Sequence, residues 1–424
     1  MTTRPEAPER GTFLLLQVAN LASAMANAMA FIAIPWLVID VTGSALQTGI
    51  VAGVSGLPAV FLAPVAGLLI DRWGSHRVSV GSDVLSGLSV ILFPLLAWWG
   101  GLSLSTIILV ALLGAIFDPA GYTARKTLIL SVARRSGVTI EKANSVHQAL
   151  FGLGFALGPG IAALLIGFVG SAATFWVIGA FFAVAALAVA VIRRAPVAAE
   201  ESATEMPWWH DALEGFRVLR RDPALLLLTG FIMVVDFVYM PSEVVILPTY
   251  FHETNQPLGM GAVIAGLAVG SVIGSYSYAP LRRRFSNRAI ITGSVLGASA
   301  GLFGLAFFPP LWVMVLAGLV VGTTWGPMGP LFNTLVHTRV PESAHGRVFG
   351  AQMALFSAGP PLGMVVVGAL VEGLSVEAVY PILVSIVAVL ALALVVSPGL
   401  RTLSDSPRPP DPPTDTLGND DKNS

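Results

Sequence analysis

The chain has 424 residues, of which 55% are hydrophobic and only 11% are charged. Because an ordinary soluble domain carries about 25% charge, this composition excludes a typical soluble fold and indicates a protein embedded in lipid. The net charge of −1 gives no basic excess for nucleic acid, and the lack of cysteine excludes disulfides and thiolate metal sites.

Apolar stretches long enough to cross a hydrocarbon layer of roughly 30 Å recur along the whole chain. In lipid the backbone must satisfy its own hydrogen bonds, so each stretch is predicted to be a helix. The sequence therefore predicts an all-α membrane protein with twelve transmembrane helices. The predicted spans are 13–38, 47–70, 78–99, 102–121, 144–167, 171–192, 224–249, 259–280, 289–308, 311–335, 346–371 and 376–398.

The positive charges divide sharply between the two sides of this predicted topology. All 23 lysines and arginines fall in the two tails or in even-numbered connections, and the opposite connections contain none. The positive-inside rule then places both termini in the cytoplasm. We expect a multi-pass protein of a bacterial cytoplasmic (inner) membrane.

Span 1 carries a polar face. Gln17, Asn20, Ala24, Asn27 and Phe31 recur along it at helical spacings of three and four residues. Polar amides avoid lipid, so this face is predicted to line a cavity or to pack on another helix.

Several stretches carry a family resemblance. The segment GLLIDRWGSHR at 67–77 resembles the signature of the major facilitator superfamily in the loop between its second and third helices. The stretches at 34–67, 117–129, 141–160 and 214–225 resemble the branch that includes macrolide-efflux proteins and the enterobactin exporter. The resemblance extends over nearly the whole chain and implies the major facilitator fold, with two six-helix pseudo-repeats.

The resemblance also implies a cytoplasmic gate that holds the two halves together while the transport site faces outward. Asp71 would face the positive N-terminus of the eleventh helix, and Arg72 or Arg77 would reach Asp118 near the cytoplasmic end of the fourth. A solvated turn carrying positive-inside charge is the alternative. The second-half loop at 279–289 lacks an acid equivalent to Asp71. The predicted gate residues are Gly67, Asp71, Arg72, Gly74, Arg77 and Asp118.

Span 5 contains Gly154, Gly158 and Pro159 in a GxxxGP pattern. This pattern resembles a motif associated with antiporters of the superfamily, although Ala162 and Ala163 replace its closing glycines. Small residues permit close helix contact and a proline permits a kink, so ordinary tight packing is the alternative.

The longest connection, 193–223, divides the spans into two groups of six. Its second part, WWHDALEGFRVLRR, places Trp209, Leu213, Phe216 and Leu219 near one face and predicts an amphipathic helix on the inner membrane surface. The predicted organisation is a cytoplasmic tail (1–12), two six-helix bundles (13–192 and 224–398) joined by this linker, and a disordered, Pro/Asp-rich cytoplasmic tail (399–424).

The two halves also resemble each other. GAIFDPAGY at 114–122 aligns with GTTWGPMGP at 322–330, and LGPGIAAL at 157–164 aligns with AGPPLGMV at 358–365. A parallel six-plus-six repeat around a central axis is a known transporter plan. Chance recurrence of Gly-Pro pairs in a glycine-rich chain is the alternative.

Span 7 carries acids within the membrane. Asp236 lies near its middle, and Tyr239 and Glu243 follow at i+3 and i+7 on the same face. An intramembrane charge costs roughly 2.5–3.5 kcal/mol and is usually functional. We expect no lysine or arginine at that depth, so Asp236 and Glu243 are predicted to couple to protons or bind a cation. A structural hydrogen-bonded acid and substrate recognition alone are the alternatives.

Further residues are predicted to line a substrate cavity. Gln148 and Gln352 occupy comparable early positions on spans 5 and 11, and aromatic side chains can contact a bulky apolar ligand. The predicted cavity residues are Asn20, Asn27, Phe31, Gln148, Tyr239, Trp325 and Gln352.

Motifs of other functional classes are missing. The six histidines form no HExxH and no close pair in the sequence, so no metal site and no cofactor are predicted. No lysine follows a glycine, which excludes a P-loop, and no enzyme activity is predicted.

The resemblance implies a secondary active transporter. We expect export of amphiphilic small molecules, such as an antibiotic, drug or siderophore-like product, by proton antiport with alternating access. The expected partners are the substrate, protons and the bilayer, and the chain is expected to be a monomer. An importer or uniporter on the same fold, and a membrane partner or sensor that transports nothing, are the alternatives.

Overall fold

The computed structural model describes residues 10–192, 208–341 and 344–401, and within these ranges the chain is almost entirely helical. The first half contains six long helices. They are α1 (Arg10–Thr42), α2 (Ala45–Trp73), α3 (Ser75–Trp98), α4 (Leu104–Ser136), α5 (Ile140–Val169) and α6 (Ser171–Ala190).

The second half repeats this pattern with two interrupted helices. The elements are α7 (Trp208–Arg221), α8 (Pro223–Pro241), α9 (Leu247–Glu253), α10 (Pro257–Arg284), α11 (Asn287–Ala306), α12 (Leu311–Trp325), α13 (Met328–Arg339), α14 (His345–Gly373), α15 (Val376–Val396) and α16 (Pro398–Arg401). A π-helical turn at Ser242–Ile246 joins α8 to α9, and α12 breaks before α13.

The predicted spans correspond to these helices. Ten segments in the described ranges are long and apolar enough to cross a membrane. The helices α2 and α14 occupy the places of predicted spans 2 and 11. The predicted tails 1–12 and 399–424 lie mostly outside the described residues, as do 193–207 of the linker.

The fourth helix is longer than predicted span 4, which ends at residue 121. A capping box of Ser103 and Thr106 begins α4, and the helix continues to Ser136, where Gly137 ends it in the left-handed conformation (φ 66°). Hydropathy falls after residue 121, but Ala, Arg, Lys and Leu still favour a helix. Arg125 therefore lies inside a helix and not in a connection.

The amphipathic linker helix packs against the second half. A Cβ on Gly215 would overlap the backbone carbonyl of Arg347 on α14, so α7 lies directly on that helix. Leu219 is buried and Phe216 is exposed, while the side chains of Trp209 and Leu213 lie outside the described residues. The face predicted to lie on the membrane is therefore divided between protein contact and exposure.

Asp222 fixes the start of α8. Its side chain caps the helix by accepting hydrogen bonds from the backbone N–H groups of Ala224 and Leu225, and it forms an ion pair with Arg339 at 2.6 Å. Burial alone would raise the pKa of Asp222, but these hydrogen bonds and the guanidinium outweigh burial and lower it. The pair ties the start of α8 to the end of α13.

The two halves meet through small residues at the arginine-poor end of the molecule. A Cβ on Gly49 of α2 would overlap the carbonyl oxygen of Met364 on α14, and one on Gly53 would lie 2.8 Å from the carbonyl oxygen of Pro361. On α10, a Cβ on Gly261 would lie 2.5 Å from that of Ala163 on α5. Such contacts bring helix backbones together as only small residues allow.

Polar contacts join the halves at the same end. His252 on α9 lies 3.3 Å from Asp40 on α1, which also accepts a hydrogen bond from Ser171. Ser44, which caps α2, donates a hydrogen bond of 3.0 Å to Glu372 on α14. We call this end, formed by the α2–α14 and α5–α10 contacts and these polar pairs, the closed end.

The small residues at the closed end can be tested by enlarging one of them. We expect Gly49→Leu to force α2 and α14 apart, toward the roughly 8–10 Å separation of ordinary helix pairs. The chain contains no cysteine, so Val41→Cys and Leu258→Cys provide the only attachment sites for spin labels. Their distance, measured by pulsed electron resonance, is expected to increase.

Gly152→Leu is the matched control, because a Cβ on Gly152 meets no atom within 4 Å, and it is expected to leave the distance unchanged. An unchanged distance in Gly49→Leu would contradict the closed end as described.

Candidate functional site

The larger candidate site is a cavity of about 340 Å³ in the second half, between α8, the α12–α13 break and α14. The structure brings together in its wall three residues singled out from the sequence, Asp236, Trp325 and Gln352. Sequence reasoning missed the other main wall residues, although their helical spacing with Trp325 and Gln352 is a usable signal. They are Phe332, Asn333, Phe349 and Phe356.

The break between α12 and α13 shapes this cavity. Gly322 and Gly326 press α12 against α10 so closely that a Cβ on Gly326 would lie 2.6 Å from the carbonyl oxygen of Ser271. The helix stops at Trp325 and restarts at Met328, around Pro327. Trp325 and Met328 therefore reach the same wall from the two sides of the break.

The residues of the cavity wall suit a ligand that is largely apolar and carries a positive charge. Asp236 is the only ionisable residue among those lining the cavity, and it makes no ion pair with a described residue. Aromatic rings attract a positive charge over their faces. The amide nitrogen of Gln352 is buried without a hydrogen-bond partner in the described part of the chain, which leaves a donor for a ligand.

Tyr239 lies on α8 with Asp236, and Glu243 follows that helix, but neither residue lines the cavity. Tyr239 donates a hydrogen bond of 2.5 Å to Glu243. Glu243 belongs to the π-helical turn after Pro241, and this turn contacts α1, α2 and α14. The pair therefore extends from Asp236 toward the junction of the two halves, and such turns are frequent at functional sites.

A second cavity of about 160 Å³ lies in the first half, between α1, α2, α3, α4 and α6. Asn27 and Phe31 line it together with Ser86 and Asp118. Four of the seven residues predicted to form one substrate cavity are therefore divided between two cavities, each containing one carboxylate.

Two other predicted cavity residues line neither cavity. Asn20 is buried and donates a hydrogen bond of 2.8 Å from its side-chain amide to the carbonyl oxygen of His147, which joins α1 to α5. Gln148 is exposed. The polar face of α1 thus serves helix packing at Asn20 and a cavity wall at Asn27.

The structure does not bring the predicted gate residues together. Asp71, Arg72 and Arg77 are exposed, and neither arginine pairs with Asp118, which accepts a hydrogen bond of 2.6 Å from Ser86 instead. The placement of Asp118 near a helix end was wrong because α4 continues to Ser136. About 27 Å of helix separates Asp118 from Ser136, at 1.5 Å per residue.

A buried ion pair that the sequence did not predict occupies the first half. Arg125 of α4 and Asp83 of α3 are 4% and 3% exposed, and their side chains meet at 2.6 Å. Ser23 of α1 accepts a hydrogen bond from Arg125 and donates one to Asp83. This arginine pairs with Asp83 and not with Asp236, and the expectation of no lysine or arginine at the depth of Asp236 stays a prediction. Asp83 lies inside predicted span 3, which was a usable signal.

The GxxxGP residues of α5 pack against α1. A Cβ on Gly154 would lie 2.7 Å from that of Ala24, and one on Gly158 would lie 2.6 Å from that of Ala28. Pro159 lies within the helix. The geometry fits the tight-packing interpretation, and a part in antiport stays a prediction.

Two histidines are adjacent in the structure although they are eight residues apart in the sequence. The Nδ1 atoms of His337 and His345 lie 3.3 Å apart, a proximity that their spacing in the sequence did not indicate. In the described ranges no group of three or more potential metal ligands occurs. A GxSxG pattern at 297–301 lies inside α11, where Ser299 bonds its own helix, and it is therefore not a nucleophile elbow.

Comparison with known proteins identifies relatives of the whole chain. The family model of the Major Facilitator Superfamily matches residues 16–362 and 244–420. The multidrug efflux pump Tap of Mycolicibacterium fortuitum is 35% identical over 95% of this chain and 99% of that protein. Tap of Mycobacterium tuberculosis is 33% identical over 94% of this chain and 96% of that protein. Macrolide efflux protein A of Streptococcus pyogenes is 22% identical over 83% of this chain and 87% of that protein.

A solved structure has the same fold. The nucleoside transporter NupG superposes with a TM-score of 0.76 at 15% identity, covering 90% of this chain and 98% of that one. At this identity the similarity concerns the fold alone.

The buried ion pair makes a double-mutant prediction. We expect Arg125→Met to destabilise the protein by about 3–5 kcal/mol because it leaves Asp83 as an uncompensated buried charge. Combining it with Asp83→Leu removes both charges and is expected to recover most of that loss. Thermal unfolding of the detergent-purified protein measures both effects.

Arg77→Met is the control, since this exposed arginine has no buried partner among the described residues and its loss is expected to cost less than about 0.5 kcal/mol. A double variant as unstable as the sum of its single variants would show that the pair is not coupled.

Proposed function

Because this chain belongs to the major facilitator superfamily, we propose that it is a drug efflux transporter that exports amphiphilic small molecules, such as an antibiotic, a drug or a siderophore-like product, by proton antiport. Relatives named as multidrug efflux pumps are 33–35% identical over nearly its whole length. A carrier of this kind binds and releases its substrate without changing it chemically.

One observation carries this proposal: among the described residues that line an aromatic cavity, Asp236 is the only ionisable one. Trp325, Phe332 and Phe356 provide apolar and aromatic contact for a bulky ligand, and a carboxylate among them favours a ligand with a positive charge. The preferred substrates would therefore be cationic amphiphiles, which need no precise set of hydrogen bonds.

Asp236 also supports coupling to protons. A carboxylate in this setting binds either a proton or a cationic substrate, because protonation neutralises the carboxylate and removes the negative charge that attracts the cation. Protonation from outside would release the substrate, and loss of the proton to the cytoplasm would restore the site. Tyr239 and Glu243 lie between Asp236 and the closed end, on the side from which protons would enter.

The arginine-rich side is proposed to face the cytoplasm of a bacterial inner membrane, with both termini there. The closed end is then the outer end, and the described conformation is the one that loads substrate from inside. Export would require the closed end to separate. Asp71, Arg72 and Arg77 would then approach the second half and close the inner side, and a monomer suffices for this cycle.

Transport in inside-out vesicles tests the role of Asp236. We expect a proton gradient to drive uptake of ethidium, a permanent cation, and Asp236→Asn to reduce that uptake to the level of vesicles without the protein. The amide retains the size of the side chain but loses its exchangeable proton and its charge.

Glu377→Gln is the matched control because Glu377 is an exposed acid at the arginine-poor end of α15, and it is expected to transport normally. Uptake that persists when the proton gradient is collapsed would favour a uniporter. Absence of any uptake across a panel of cationic drugs would favour a membrane partner that transports nothing.

A further inference from the structure

The first-half cavity contains a carboxylate that the proposed cycle does not use. Asp118 lines this cavity, and its hydrogen-bond donor is Ser86, at 2.6 Å. The residues that α1, α2 and α6 contribute to the wall, among them Asn27, Ser55 and Phe182, are not ionisable.

The charges around Asp118 do not balance. Arg125 is the basic group that interacts with Asp118 electrostatically, but it is already paired with Asp83. Those two charges cancel each other, so an ionised Asp118 adds one negative charge to the interior of the bundle. On α5, which also packs against α4, His147 interacts with Arg125 and Lys126 and supplies no charge to Asp118.

The hydrogen bonds of Arg125 support the conclusion that an ionised Asp118 is an uncompensated charge. Its two terminal nitrogens bond Asp83 and Ser23, while its Nε atom is buried without a partner in the described part of the chain. Removing the Asp83 bond in order to pair with Asp118 would leave Asp83 as the uncompensated acid. If Arg125 exchanged partners, the uncompensated negative charge would move from one acid to the other and would not disappear.

We propose that Asp118 is a second proton-binding site, so that each half of the transporter carries one exchangeable proton. The proposal rests on the proton antiport inferred for Asp236. A proton balances the deficit using only the carboxylate and Ser86, which accepts or donates a hydrogen bond as required. The aromatic cavity of the second half remains the site of the substrate.

The proposal determines how much net charge crosses the membrane in each transport cycle. If Asp236 and Asp118 each carry one proton inward while one ethidium cation moves outward, each cycle moves one net positive charge inward. Transport of a permanent monocation would then respond to the membrane potential as well as to the pH difference. With Asp236 alone, one proton would exchange for one cation, and no net charge would move.

The test uses the full-length protein reconstituted in liposomes, with ethidium as substrate and valinomycin with potassium gradients to set the membrane potential. At a fixed pH difference, a potential that drives positive charge inward is expected to accelerate exchange by wild-type protein. Asp118→Asn is expected to retain exchange driven by the pH difference and to lose its response to potential. Asp118→Glu is expected to restore that response.

Asp118→Ser serves as a second variant, because serine is polar and does not titrate in this pH range, so the test does not depend on the folding of one variant. Glu377→Gln is the control and is expected to keep both responses. Exchange by wild-type protein that is insensitive to potential would overturn the second site, as would a response that survives in Asp118→Asn or one that requires sodium. Exchange by wild-type protein that ignores the pH difference would instead overturn the antiport itself.

Discussion

The free-energy cost of an uncompensated charge inside a lipid-embedded helix bundle organises this molecule. Arg125 meets that cost by pairing with Asp83 and bonding Ser23, all within the first half. Among the described residues Asp236 and Asp118 form no such ion pair, and in the proposed mechanism each is neutralised by something that arrives from outside the protein. A proton or a cationic ligand satisfies this need, and exchange between the two is the basis of the proposed transport.

The contact between the halves fits a closed end that separates during the proposed transport cycle. At the closed end, Gly49 and Gly53 allow α2 and α14 to touch at backbone level, while the Asp40–His252 and Ser44–Glu372 contacts are few and partly exposed. Small-residue contacts are worth little unless they fit closely, and exposed ion pairs contribute weakly. An interface of this kind can hold one state without preventing the other.

Hydrophobic length predicted the helices, and the family resemblance read from 67–77 and related stretches is confirmed. The sequence also singled out Asp236, Trp325 and Gln352, which share one cavity wall. Two features could not be predicted from the sequence. Hydropathy does not register that α4 continues past the apolar region, so the burial of Arg125 was missed. The predicted gate contacts of Asp71 are absent from a conformation closed at the other end.

The central claim is that unpaired intramembrane carboxylates exchange protons for a cationic substrate. The most direct measurement is proton release when ethidium binds to the detergent-purified protein in weakly buffered solution, followed with a pH indicator. Because ethidium is a permanent cation, any protons released come from the protein. The account predicts release that saturates together with ethidium binding. Binding without any release would contradict it.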